Sequence, residues 1–155
     1  MTGPEDVLEA IRRRWATTAL PTLVPGGLHH GQAPQTVEGE LAPFPYAVVM
    51  ITDGEVQFSS ASVDTAGGHV ILLFDVEIKV YVNSLEPNVD TRKIRTEIDK
   101  HFNRDKATDM FITPGRCLDW RAIGGGGLML DPDRNEARDV AICARRWEVT
   151  VQGVV

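Results

Sequence analysis

Asp75 and Glu77 stand two residues apart in a run that alternates like a strand, so both carboxylates fall on one face, about 7 Å apart. That separation is within reach of a general acid–base pair. Lys79 continues the same row, and a charged exposed face, or a salt bridge between subunits, explains the three residues more simply. The serines cluster at Ser59, Ser60 and Ser62 in a strand-like stretch with no Gly-x-Ser-x-Gly turn. A nucleophile needs a base within hydrogen-bond reach and a third group to orient that base. No such set is visible, so no catalytic residue is assigned and the chain is read as not an enzyme.

Phosphate and metal chemistry are tested the same way. Gly124-Gly125-Gly126-Gly127 looks like a phosphate cradle, but a P-loop continues into Gly-Lys-Ser/Thr at the start of a helix. Here Leu128-Met129-Leu130 follows, and a flexible bulge or a close backbone approach to another subunit is the better reading. Asp131 to Glu136 imitates the start of a calcium loop, with Glu136 where the sharp turn needs Gly and Ile142 where a bidentate Glu is needed. A solvent-facing hairpin turn fits it better. His29 and His30 are adjacent in an extended segment and face opposite ways, while His69 and His101 belong to separate elements. Cys117 and Cys143 are too few for a structural zinc site. They read as buried free thiols, able to pair only if their strands are neighbours. Neither a metal nor a cofactor is expected.

The chemistry fails in a chain well able to fold. Its 155 residues are 43% hydrophobic and 25% charged, enough for one domain with a real core. Sixteen basic against 22 acidic residues give a net charge of −6, a poor match to the concentrated positive footprint of duplex binding. No apolar run approaches the ~18–20 residues of a membrane span, and the N-terminus places acids before bases, the reverse of a signal peptide. The expectation is a soluble protein made in the cytosol, with no membrane partner.

The elements follow from periodicity. Thr2 to about Leu20 reads as a helix, with Pro4 at its start, acids in its first turn and Val7, Leu8, Ile11 and Trp15 on one face; Pro21 ends it. Arg12, Arg13 and Arg14 point in three directions and read as a solvated helix end. Residues 21–45 hold five of the nine prolines and form an extended connector, a candidate interaction arm. Tyr46–Thr52 and Glu55–Ser62 read as strands joined by an Asp53-Gly54 hairpin turn. In His69–Asn83, seven apolar residues at strict period two form a long strand with one face on a core, and its other face grades from apolar to charged. Val89–Asn103 is an amphipathic helix with Asp90 as its cap and Ile94, Ile98 and Phe102 inward. A final pair of strands closes the chain: Arg116–Ile123 runs into Gly124–Gly127 and then Leu128–Leu130, and after the turn Asp131–Glu136 comes Arg138–Gln152, with Ala141, Cys143, Arg145, Trp147, Val149 and Val151 on one face. The prediction is an α+β domain over residues 1–155, an antiparallel sheet of about five strands carrying two helices in the order α-β-β-β-α-β-β.

This order of motifs resembles a known family. An N-terminal amphipathic helix runs into a Val-Pro-Gly-Gly-Leu turn (Val24–Leu28), and a Pro-rich stretch ends in Pro45-Tyr46-Ala47-Val48-Val49. The amphipathic strand, a helix and a terminal hairpin follow. The layout is similar, over nearly the whole chain, to that of tail terminator (tail-completion) proteins of long-tailed bacteriophages and prophages. The resemblance implies a structural virion protein at the head–tail junction, assembled in the bacterial host cytoplasm. It also implies a ring, typically hexameric, that stops polymerisation of the tail tube and joins the tail to the head-completion complex. Its partners would be further copies of itself, the tail tube protein and a head-completion or neck protein. DNA would pass through the lumen without specific binding, and a net charge of −6 suits such passage. Gly124–Gly127 and the long terminal hairpin depart from the family's pattern.

A ring needs two different patches in head-to-tail contact. The candidates are the arm around Leu28, His29, His30 and Gln32, and the charged half of the long strand, Asp75, Glu77, Lys79 and Tyr81. The glycine-rich segment at Gly125 and Gly126 is a third, and Arg145 and Arg146 are placed to pair with Asp75 or Glu77 within or between subunits. Phe44, Trp120 and Trp147 read as core. Two alternatives stand beside this reading: another head–tail connector or neck protein, and a small-ligand-binding domain or enzyme with a cleft beside the sheet.

Overall fold

The alternation over 69–82 has the consequence its period dictates. In a computed structural model of the chain these residues form one uninterrupted strand, with Leu72, Phe74, Val76, Ile78, Val80 and Val82 all buried. The structure describes residues 2–31, 43–59, 69–83, 87–110, 112–131 and 140–154, with side chains at all of these except 53–59, 69, 87–88, 125–131, 140–141 and 154. Five strands are present among them: β1 (Leu28–His30), β2 (Tyr46–Ser59), β3 (His69–Val82), β4 (Arg116–Asp131) and β5 (Val140–Val154). They form one sheet of order β1-β2-β3-β5-β4, so β3 is its central strand.

One face of this sheet carries the helices. The first, α1 (Pro4–Ala16), starts where Asp6 reaches back to accept the Gly3 N–H at 2.8 Å. It buries Val7, Ile11 and Trp15. Ile94 and Ile98 of α3 (Pro87–His101), with Phe102 just beyond it, lie in the same apolar cluster as the inward residues of β2, β3 and β5. Trp120 and Trp147 fall in that core as expected, their ring centroids 5.4 Å apart and Phe102 6.1–6.2 Å from each. Such offset aromatic packing adds to the area buried.

Two further helices are only four residues long, α2 (Leu20–Leu23) and α4 (Arg104–Ala107), so the chain has four helices among the described residues and not two. Pro21 does not end α1, which stops at Ala16; it lies in the first turn of α2, where a missing N–H costs nothing. Asp90 lies inside the first turn of α3 and does not cap it.

The sheet is mixed, not purely antiparallel. Within the arm, β1 pairs in parallel with Ala47–Val49 of β2, while β2–β3, β3–β5 and β5–β4 are antiparallel. Three residues in register are too few to leave a period-two signature, and so the arm reads from sequence as irregular. The Asp53-Gly54 turn is also corrected. Chain direction does not reverse there: Thr52 pairs with Asp75 and Glu55 with Leu73, so two residues of β2 face one of β3. That is a bulge. A fourteen-residue β3 offers both halves of β2 a partner, and this pairing overrides the local turn preference. Residues 60–68, with the end of the expected strand Glu55–Ser62, lie outside the described residues, as does most of the expected turn at Asp131–Glu136.

One polar contact ties the α1–α2 turn to α3. A Glu97 carboxylate oxygen accepts from the Ala19 N–H at 3.2 Å and meets His101 Nε2 at 2.9 Å. Partial burial opposes ionisation of Glu97, but the Ala19 N–H, His101 and Lys100 outweigh it and hold the carboxyl below its usual pKa. A lowered carboxylate pKa stabilises the fold above the unfolded-state value and ceases to do so as pH falls through the folded-state value. The stability difference between wild type and Glu97→Gln, read from urea unfolding, is therefore present at pH 7 and is lost as pH falls through the lowered folded-state value. A difference unchanged from pH 7 to pH 3 contradicts this.

Candidate assembly surfaces

The arm is built around a glycine that nothing else can replace. A Cβ at Gly26 would lie 2.1 Å from the Pro43 carbonyl oxygen and 2.6 Å from that of Pro45, so the turn after buried Val24 closes only on glycine. Gly27 follows with φ +87°, a second position that disfavours side chains. The Gly26 N–H then donates to Pro45 O at 2.9 Å, the Ala47 N–H to Gly27 O at 2.9 Å and the Gly31 N–H to Val49 O at 3.0 Å. These bonds seat β1 on the edge of β2. Leu28 packs against the core, His29 donates through Nε2 to Gly26 O at 2.6 Å, and His30 is exposed. A carbonyl can only accept, so that contact places the His29 proton on Nε2. Gln32 lies outside the described residues.

The charged half of β3 is on the other face of the sheet, at its centre. No described helix covers this face. Asp75 stands directly opposite Glu148 of β5, and Glu77 opposite Arg146. A like-charged pair facing each other is unfavourable, and each member here has a basic neighbour: Arg146 lies 4.0 Å from Asp75, and Arg121 of β4 donates to Glu148 at 2.6 Å. Lys79 lies 3.6 Å from Glu77. The face is thus a chequer of alternating charge, and partly exposed pairs of this kind add little stability. Tyr81 is half-buried at the end of this row. It stacks on Tyr46 at 4.9 Å, and Phe44 lies 5.2 Å from Tyr46, so an aromatic group caps this end of the open face. Phe44 is half-buried there.

Arg145 and Arg146 point to opposite faces. Only Arg146 approaches Asp75; Arg145, on the helix side, forms a two-pronged ion pair with Asp99 of α3 at 2.9 and 2.7 Å. Neither pairs with Glu77 in any contact seen here, although Arg146 is its register neighbour. Gly125 pairs with Arg145 inside β4, which runs through the glycines without a turn; the ladder slips one residue between Ala122 and Gly124 and again between Gly125 and Leu128. The structure therefore does not gather the candidates into one site. It distributes them over the β1 edge, the open face, the helix side of β5 (Arg145) and the β4 edge.

Sequence reasoning missed two residues on β4. Leu118 and Ile123 are each the extra residue of a register slip against β5, and both are exposed apolar side chains. A bulge breaks period two, so only an exposed position in the folded sheet reveals them. The cysteines are resolved by register as well. Cys117 pairs with Val151 and Cys143 with Leu128, placing them eight residues apart along β5, about 26 Å. Neighbouring strands carry them, yet a disulfide between them is geometrically excluded.

Across 94% of this chain and 93% of the other, the fold is similar to that of a chain in a solved virion of a native gene transfer agent (GTA) particle, with a TM-score of 0.56 and 16% sequence identity. At that identity the likeness is one of fold. No protein-family profile matches the chain, and no curated protein sequence matches it. Among the described residues, no three His, Cys, Asp or Glu side chains are grouped to hold a metal ion, and no helix is long and apolar enough to cross a membrane.

Gly26→Ala is expected to lower unfolding stability by about 1–3 kcal/mol and to speed hydrogen exchange at the Ala47 N–H, which donates to Gly27 O. Unchanged exchange there would contradict the seating of the arm. For the cysteines, burial pushes the Cys117 thiol up to about 11 and also raises that of Cys143. Both are expected to resist a thiol reagent at pH 8 in the native protein and to react fully in 6 M guanidinium; rapid native labelling of either one contradicts its burial.

Proposed function

We propose that the chain is a structural component of a phage-like virion, acting as a ring that ends growth of the tail tube and joins the tail to the head-completion proteins. The observation that carries this reading is the fold likeness, along nearly the full length of both chains, to a chain of the gene transfer agent virion. The sequence layout that resembles tail terminators supports the finer assignment: the Val24–Leu28 turn, the Pro45–Val49 strand start and the half-charged strand before a helix. In the structure the first motif is the glycine turn that seats β1, and the second is the stretch of β2 that receives it.

The reading is non-catalytic. One sheet face is closed by helices, and the other bears balanced charge, with three acids (Asp75, Glu77, Glu148) against three bases (Lys79, Arg121, Arg146) in mutual contact. A neutral chequer of this kind offers duplex DNA no positive track to bind. In a ring that DNA must traverse, that is the favourable property.

The test is removal of the chain from a genome that produces the particle, with tails measured by electron microscopy. Tubes of uncontrolled length and heads without tails are expected. Tails of normal length beside heads that leak DNA would transfer the chain to the head-completion neck. Normal particles would overturn the structural role altogether.

A further inference from the structure

We propose that copies of this chain meet head-to-tail through the two opposite edges of the sheet, the β4 edge of one copy against the β1–β2 edge of the next. The inference rests on the ring reading and locates its contact.

Among the described residues the sheet ends in two unpaired edges. Among the described residues no strand pairs with the outer side of β4, and none pairs with β2 beyond Val49, where β1 stops. Natural edges of this length are shielded by charge, by proline or by a partner. On β4 three described charged side chains are engaged elsewhere: Arg116 with Gln152 at 2.8 Å, Asp119 with Arg104 at 2.9 Å and Arg121 with Glu148 at 2.6 Å.

Exposed apolar residues concentrate at these edges. Four large ones stand out among the described residues: Met50 (50% exposed), Val89 (45%), Ile123 (41%) and Leu118 (38%). Leu118 and Ile123 are the residues that two bulges expel from the β4 ladder, and Met50 is the first residue of β2 past the end of β1. Bulges at sheet edges re-aim side chains, and here they aim apolar ones. A Cβ at Gly124, beside Ile123, would meet nothing within 4 Å, so the backbone there is open to close approach.

Each edge also has an apolar cleft on the helix side. The one beside β4 measures about 290 Å³ and is floored by Phe102, Trp120 and Trp147. The other, about 330 Å³, lies beside β1 among Trp15, Pro21 and Leu28. Two different patches on opposite sides of one copy are what a closing head-to-tail contact requires, whereas a two-fold contact would use one patch twice. Strand direction agrees. Along the sheet β2 and β5 run one way and β3 and β4 the other, with β1 parallel to β2. Copies set side by side around an axis therefore bring β4 antiparallel to the next copy's β1 and β2, continuing the alternation within the sheet.

The experiment blocks one edge at a time and weighs the products by light scattering, with circular dichroism to verify the fold. Leu118→Asp/Ile123→Asp charges the β4 edge, Met50→Asp/Pro21→Asp the β1–β2 edge, and Val89→Asp, an exposed apolar residue of α3 and of neither edge strand, is the control. Wild type and the Val89 variant are expected to assemble into rings, and each blocked chain to fall to the 17.1 kDa of one copy. A one-to-one mixture of the two blocked chains should form dimers and nothing larger. A ring that survives either blocked edge overturns this contact and leaves the ring reading intact, as does self-dimerisation of the Met50→Asp/Pro21→Asp chain. Should a blocked chain lose its fold, a photo-cross-linking residue at position 123 of the otherwise unaltered chain decides the matter. Cross-links to residues 12–30 or 50 of another copy support the contact, and cross-links elsewhere overturn it. A wild-type chain that stays monomeric without cross-links overturns the contact and the ring reading together.

Discussion

Everything in this fold depends on the period-two burial of β3. With Phe74, Val76, Ile78, Val80 and Val82 under the helices, the intervening Asp75, Glu77 and Lys79 are committed to the opposite face, because neighbouring strand residues cannot share a side. Both sheet neighbours, β2 and β5, pair with β3 over most of its length. Its pattern therefore sets the inward and outward sides of every strand except β1. Among the described residues, one helix-covered face and one open charged face follow from this single alternation.

The arm is the second constraint, and it is steric. Gly26 passes so close to Pro43 and Pro45 that the chain must leave α2 and lie along β2 in one way. This converts a stretch that looks like a linker into part of the sheet. It also places Leu28 and the two histidines at an edge, whereas Asp75, Glu77 and Lys79 are in the middle of a face. Surfaces that a sequence reading treats as one kind of interface candidate thus have different geometric opportunities. An edge can meet another subunit's edge; a central face can meet only what lies above the sheet.

What was legible in the sequence is what strong local patterns encode. The run His69–Val82 announced its own burial, and Ile94, Ile98 and Phe102 announced the helix that covers it. Trp120 and Trp147 were recognisable as core because each sits among alternating apolar residues. The illegible parts are those where tertiary pairing wins over local preference. Asp53-Gly54 has the composition of a turn, and becomes a bulge because β3 continues past it. The four glycines look like a loop and are carried inside β4 by the ladder to β5. Arg145 and Arg146 look like a pair facing one partner, yet adjacent strand residues must diverge, and Asp99 of α3 takes the first. Leu118 and Ile123 carry no signal at all until register is known, since a bulge residue is defined only by its neighbour strand.

A chain with a chequered neutral face, apolar edges and no assembled active site among its described residues is suited to being joined, edge to edge, into a larger object. The most direct test is a three-dimensional electron-microscopy reconstruction of the assembled particle at the head–tail junction, with this chain located by a tag. One closed ring of copies, typically six, is expected to cap the tail tube, with the β4 edge of each copy against the β1–β2 edge of the next. Absence from the particle, or isolated copies scattered on its surface, would contradict it.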